Sequence, residues 1–207
     1  MDLQKGLVGH WTMDNRDTSN SVMYDKTPYN NHGTIQSGVI TSVSAPVGEG
    51  YDLEQDKISG FSTKEIGASS FSFSFWLKGD FNSVSNTYPD VFNDFWGRGD
   101  GDSGFRFDSE STGRYVQAFK YPNDLPNWTH ISCSVDQSIG EGYFYQDGTK
   151  IYTDTFTPGE YIPTSITFFG NDDCPMKVSD FRFYKRALSE REIKTLYNMR
   201  NQQVRRT

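Results

Sequence analysis

Three groups of residues have types and spacings that invite chemistry: the carboxylates of Glu49-Gly50-Tyr51-Asp52-Leu53-Glu54, the histidines His10, His32 and His130, and the cysteines Cys133 and Cys174. Retaining glycoside hydrolysis needs two carboxyl groups about 5–5.5 Å apart. Side chains alternate along a strand, so Asp52 and Glu54 share a face while Glu49 points to the other. That spacing reads as an edge strand with solvated acids. The histidines lie far apart in sequence, without the His-x-x-x-His spacing that holds zinc, and no Gly-x-Ser-x-Gly elbow offers a nucleophile. The chain is therefore read as non-catalytic.

Cys133 falls in the alternating run Ile131, Cys133, Val135 and is expected to be a buried thiol, whereas Cys174 belongs to the polar stretch Asn171-Asp172-Asp173-Cys174-Pro175. Two cysteines make no disulfide framework, and the pair is expected to be unbridged. Arg98-Gly99-Asp100 spells an integrin-type tripeptide, but Gly-Asp is ordinary turn chemistry. Asp100-Gly101-Asp102-Ser103-Gly104 hints at a calcium loop, yet Ser111 stands where an EF-hand needs its bidentate Glu. Asn127-Trp128-Thr129 fits the N-glycosylation pattern, with Trp128 expected in the core and the step into the strand cramped. Aromatics make up 15% of the chain, so most of them must fill the core. Tyr88, Trp96 and Tyr121 lie beside irregular polar segments and are the candidate ligand-binding residues. Sugar CH faces sit well on such rings while Asn and Asp take the hydroxyls.

These residues need elements to position them, and the apolar period is mostly two, the mark of half-buried strands. In Phe71-Ser72-Phe73-Ser74-Phe75 every Phe points one way and every Ser the other; His130–Val135 and Val178–Phe183 repeat the pattern. Further strands are predicted at Gly6–Thr12, Gly33–Ile40, Gly50–Glu54, Lys57–Gly60, Gly104–Asp108, Tyr115–Tyr121, Gly142–Gln146, Lys150–Phe156 and Ile166–Phe169. Asp147-Gly148 predicts a hairpin turn, and Gly79–Gly97 reads as a long irregular stretch. One helix is predicted, over Ala187–Tyr197, opened by a capping box of Ser189 and Glu192 with a staple between Leu188 and Ile193. Strands closed by one terminal helix make a single all-β unit, a two-sheet antiparallel jelly-roll sandwich with a short C-terminal helix. One domain is read over residues 1–207, with its core at about 5–197 and a basic tail at 198–207.

The formal charge of −7 disfavours nucleic acid, which wants a basic face. No run approaches the ~20 apolar residues of a membrane span, so no membrane insertion is expected. MDLQKGLVGHW has no charged-then-apolar export signal.

In order, these segments resemble the laminin-G-like jelly-roll family of the concanavalin A-like lectin/glucanase superfamily. Gly6–Asp14 looks like its first strand. Tyr24-Asp25-Lys26-Thr27-Pro28-Tyr29-Asn30-Asn31-His32-Gly33-Thr34-Ile35 resembles its Asn-rich signature loop, with Pro28-Tyr29 in place of a Gly-containing step. Phe71–Lys78 matches the strand with a central Trp, Asn127–His130 the Trp-His strand, and Tyr145–Gly148 the Tyr-x-Asp-Gly hairpin. The most specific match is Ser179–Ile193, which follows the family's closing strand and helix nearly residue for residue. Jelly-roll glucanases of this superfamily carry Glu-x-Asp-x-x-Glu on one strand, which Glu49–Glu54 does not reproduce.

Relatives of this kind hold a structural Ca²⁺ between the first loop and the last strand. The resemblance thus implies a cation bound by the side chains of Asp25 and Asp180, with Asn30 and His32 contributing mainly through their backbones. The residues alone equally allow Asp25 to cap a turn and Asp180 to pair with a lysine. The fold fixes function loosely. The expected role is a surface recognition or adhesion module that binds a glycan or cell-surface receptor, outside the cell or on a virion or tail surface. The alternative is a structural particle component (capsid decoration, turret or fibre) that assembles as a homo-oligomer or with other particle proteins.

Overall fold

A computed structural model describes residues 2–35, 41–53, 57–62, 70–80, 90–92, 95–98, 104–109, 114–120, 124–158, 165–169 and 176–200, with side chains at 2–35, 41–53, 70–79, 125–158 and 176–200. In chain order the strands are β1 (Leu7–Trp11), β2 (Thr18–Ser19), β3 (Val22–Met23), β4 (Gly33–Ile35), β5 (Thr41–Ser44), β6 (Glu49–Asp52), β7 (Lys57–Ser62), β8 (Phe71–Asp80), β9 (Asp90–Phe92), β10 (Phe95–Arg98), β11 (Gly104–Ser109), β12 (Arg114–Lys120), β13 (Asp124–Asp136), β14 (Glu141–Gln146), β15 (Thr149–Thr155), β16 (Ser165–Phe169) and β17 (Met176–Tyr184), followed by helix α1 (Glu190–Asn198).

They form two antiparallel sheets. One runs β15-β14-β13-β8-β17-β6-β5, with β1 also on β17; the other runs β12-β11-β10-β9-β16-β7-β4-β3-β2. This is the expected all-β sandwich, and its crossovers are of the jelly-roll kind. The stretch read as irregular, Gly79–Gly97, holds β9 and β10. Both are too short for a period of two to stand out.

Alternation in β8 fills the core: Phe71, Phe73 and Phe75 are buried beside Ile131, Cys133 and Val135 of β13 and Phe144 of β14. The opposite face is buried as well. Ser72, Ser74, Ser132 and Ser134 are almost fully enclosed beneath the segment that leads into α1. The Ser72 and Ser134 hydroxyls both accept from Leu188 N, at 2.9 and 3.0 Å, while Ser134 donates to the Leu188 carbonyl and Ser72 to that of Arg186. Serine suits these sites because a small hydroxyl lets a chain approach closely and satisfies its backbone.

Helix α1 starts as predicted. Ser189 and Glu192 form the capping box, and Leu188, Ile193 and Leu196 join Leu7, Tyr145 and Tyr184 in a second apolar cluster outside the first sheet. Tyr197 stacks on Trp76 at 5.8 Å between ring centroids. The hairpin turn at Asp147-Gly148 lies under the same ring. Gly148 has φ +73°, and a Cβ there would meet Tyr197 at 3.2 Å, so both conformation and space demand glycine.

One departure sets up the functional site. The alternation of Val178–Phe183 predicts Val178, Asp180 and Arg182 on one face. In the structure Val178, Phe181 and Phe183 all enter the core. A β-bulge is the reason: Ser179 opposes Trp76 and Arg182 opposes Ser74, so β17 holds one residue more than β8 over this span. Asp180 sits in the bulge at φ +49°. It also marks where the second edge of β17 changes partner, from β6 at Lys177–Val178 to β1 at Phe181–Tyr184.

Candidate functional site

The edge of β1 away from β17 is taken by the loop between β3 and β4. His10 N donates to Asp25 Oδ1 (2.9 Å) and the His10 carbonyl accepts from Lys26 N (2.8 Å). Asn31 Nδ2 reaches the Val8 carbonyl, and the Trp11 indole N–H reaches the Asn31 carbonyl, both at 2.8 Å. With few apolar residues of its own, the loop is held by these hydrogen bonds.

Asp25 is its internal anchor. Oδ1 accepts from the backbone N–H of His10 and Thr27, and Oδ2 from the Thr27 hydroxyl (2.6 Å) and Asn31 N (3.0 Å). Four donors fill the four acceptor directions of a carboxylate. Asp180 is committed through one oxygen: Oδ1 meets His10 Nε2 at 2.7 Å and the Arg182 guanidinium at 3.1 and 3.2 Å. Burial by itself would raise the Asp180 carboxyl, but the Arg182 charge and the His10 hydrogen bond hold it at about 2. His10 therefore joins the first loop to the last strand, its backbone on Asp25 and its ring on Asp180.

That is the link for which a Ca²⁺ between Asp25 and Asp180 was expected. As arranged, one carboxylate faces N–H and O–H donors and the other faces a guanidinium, a donor set made for hydrogen bonding. Among the described residues no three His, Cys, Asp or Glu side chains converge on a common point. Of the other two residues in the expected set, Asn30 has φ +56° and bonds through Nδ2 to the Pro28 carbonyl. His32 Nδ1 accepts from Asp25 N at 3.2 Å.

The outer side of the loop carries a feature absent from the sequence reading. Tyr24 and Tyr29 are 40% and 43% exposed, the most open tyrosine rings among the described residues. Tyr24 meets the His32 ring edge-on at 5.1 Å, and Lys185 Nζ stands 5.6 Å from the centre of the Tyr29 ring. Because His32 Nδ1 is an acceptor, the neutral ring carries its proton on Nε2. That N–H, both phenols and the side-chain oxygen Oδ1 of Asn30 have no hydrogen-bond partner among the described residues. Two open rings ringed by unused donors and acceptors form a surface suited to a polyhydroxylated ligand. The signal in the sequence was two tyrosines in a loop with no apolar alternation to draw them inward.

Of the residues singled out earlier as ligand-binding, Tyr88 and Tyr121 lie outside the described residues. Trp96 is on β10, opposite Arg106 of β11, and its side chain is not among those described. β10 and β4 are four strand positions apart in their sheet, about 19 Å at the usual spacing. Cys133 is a free, buried thiol, and burial pushes its pKa up; Cys174 lies outside the described residues. Asn127 is exposed where β13 shifts register between Leu125 and Thr129, and Trp128 is only half-buried, its indole bonded to the Ser44 carbonyl. The step expected to be cramped is open.

A family model described as the concanavalin A-like lectin/glucanases superfamily matches residues 54–194. The chain belongs to this superfamily. Among solved structures, this concanavalin A-like domain is similar to the binding domain of Paraclostridial Mosquitocidal Protein 1 (20% identity, TM-score 0.71, covering 94% of this chain and 52% of that one). It is similar also to the binding domain of botulinum neurotoxin DC in complex with SialylT (17%, 0.72, 97% and 53%). A third is domain 4 of AbnA, a GH43 extracellular arabinanase from Geobacillus stearothermophilus, in complex with arabinotriose (21%, 0.69, 92% and 98%). The chain spans about half the length of the toxin binding domains and nearly all of the arabinanase domain. At these identities the likeness establishes the fold. The comparison with curated protein sequences gave no match. Both toxin structures are binding domains, and among the described residues no group of three His, Cys, Asp or Glu is placed to hold a metal ion.

Proposed function

We propose that this domain is a non-catalytic recognition module that binds a glycan, free or on a cell surface, along the outer side of its first loop. The observation that carries the reading is the pair of open rings, Tyr24 and Tyr29, on a loop fixed to β1 through Asp25. A rigid platform loses little entropy when ligand binds. The rings would take the apolar faces of sugars, while His32 Nε2–H and Asn30 Oδ1 would meet hydroxyls. Two similar structures are complexes that support this reading: the arabinanase domain with arabinotriose and the neurotoxin binding domain with SialylT. A setting outside the producing cell, on a secreted protein or a virion surface, suits such a module.

The test is a glycan array followed by calorimetric titration of the best ligands. Tyr24→Ala and Tyr29→Ala should each weaken binding at least tenfold, about 1.4 kcal/mol, while leaving the melting temperature unchanged. Binding that survives both substitutions would place the site elsewhere. The alternative role in a particle shell requires a symmetric oligomer, and sedimentation of the same samples reads that directly.

A further inference from the structure

The two ends of the loop surface differ in charge, and we infer that the Tyr29 end is a subsite for an acidic sugar, a pyranose bearing a carboxylate or sulfate group. This rests on the glycan-binding reading and adds the ligand class. Lys185 is exposed, its ammonium stands over the Tyr29 ring, and it makes no ion pair among the described residues. The other cations nearby are already neutralised. Arg186 is held by both carboxylate oxygens of Glu192, at 2.7 and 3.0 Å, and Lys26 by Asp17 at 2.6 Å.

The backbone brings a second free lysine to the same corner. Lys185 N donates to the Gly6 carbonyl, and Arg186 Nε to the Lys5 carbonyl at 2.7 Å, so exposed Lys5 borders Lys185. The carboxylate of this segment, Asp2, accepts from Gln4 N. A patch with two ammonium groups that make no ion pair among the described residues stands out on a chain whose formal charge is −7.

At the other end Tyr24 is met by the His32 ring, whose free atom is a neutral N–H donor. The chemistry that fits is a sugar stacked on Tyr29 with its anionic group on the Lys185 ammonium, a charge-assisted hydrogen bond, next to a neutral sugar at Tyr24. Gly6, the backbone partner of Lys185, lies just before β1, and His10, the backbone partner of Asp25, lies within it, so the two ends sit at separate points along the chain. The inferred ligand is therefore an oligosaccharide.

The experiment titrates the full chain with matched pairs that differ only in the acidic group: sialyllactose against its carboxyl-reduced form, oligogalacturonate against its methyl ester, and a sulfated against an unsulfated galactan fragment. At low salt one acidic member should bind at least tenfold more tightly than its neutral partner, and added salt should erase the difference because the site is exposed. Which pair responds separates carboxylate from sulfate. Lys185→Gln should reduce the acidic member to the neutral level, with the neutral affinity and the melting temperature unchanged. Equal affinity within every pair, or an acid preference that survives Lys185→Gln, overturns the inference while the glycan reading stands. Absence of binding to all six probes and across the array overturns both.

Discussion

At the scale of single residues, Asp25 does the most. It organises a loop with almost no apolar content by accepting four hydrogen bonds, three of them from backbone N–H groups. Asp25→Ala strands those donors in a buried place, and unmade buried hydrogen bonds cost about 1–3 kcal/mol each. Thermal unfolding of this variant should show a loss of at least about 3 kcal/mol and, with the loop released, loss of ligand affinity. A cation at this site would have to displace those donors or take its ligands from backbone carbonyls. The melting temperature of the wild type should therefore be unchanged by chelator. A melt lowered by chelator, restored by Ca²⁺ and insensitive to both in Asp180→Ala would establish the cation instead.

At the scale of elements, the serine face of β8 and β13 docks the C-terminal segment. Between them Ser72 and Ser134 satisfy both the N–H and the carbonyl of Leu188, the residue that fixes the entry angle of α1. Either serine alone still serves the Leu188 N–H, so each single alanine variant should lose a carbonyl contact, that of Arg186 for Ser72 and that of Leu188 for Ser134. Ser72→Ala with Ser134→Ala leaves both groups unmade. Denaturant titration should show a loss beyond the sum of the single variants, about 1–3 kcal/mol more, because the two hydroxyls share a partner.

At the scale of the molecule, two buried groups tie the sandwich's stability to pH. His130 is packed against both Trp76 and Tyr197, and burial lowers its pKa to about 3. Between the ordinary histidine value near 6.5 and about 3, the unfolded chain binds a proton that the native ring refuses. Its contribution to stability is complete above pH 6.5 and declines as pH falls through that window. Asp180, held at about 2, adds stability that is complete above the ordinary carboxylate value and is lost as pH falls from about 4 to 2. Melting curves should be level above neutrality and drop by about 3–5 °C per pH unit between pH 6 and 4, the limit for one proton in a chain of this size. His130→Phe keeps an aromatic in the stack and should flatten that range, leaving the fall below pH 4. A wild-type melt that is level down to pH 4 would show that His130 charges in the native state.

The sequence by itself determined the sandwich, because alternation in β8 and β13, the Asp147-Gly148 turn and the Ser189–Glu192 box are local signals that each specify one element. That the first loop and the last strand lie together was implied by the family resemblance. It did not show how they are joined. Alternation assigns faces only while the count of residues is unbroken, and the bulge at Asp180 breaks it. The break turns Phe181 and Phe183 inward and leaves Asp180 and Arg182 facing His10, a partner 170 residues away. Nor does composition distinguish a core tyrosine from an open one. Tyr24 and Tyr29 are exposed because hydrogen bonds to the edge of β1, rather than packing, hold their loop, and that edge exists only once β1 has paired with β17.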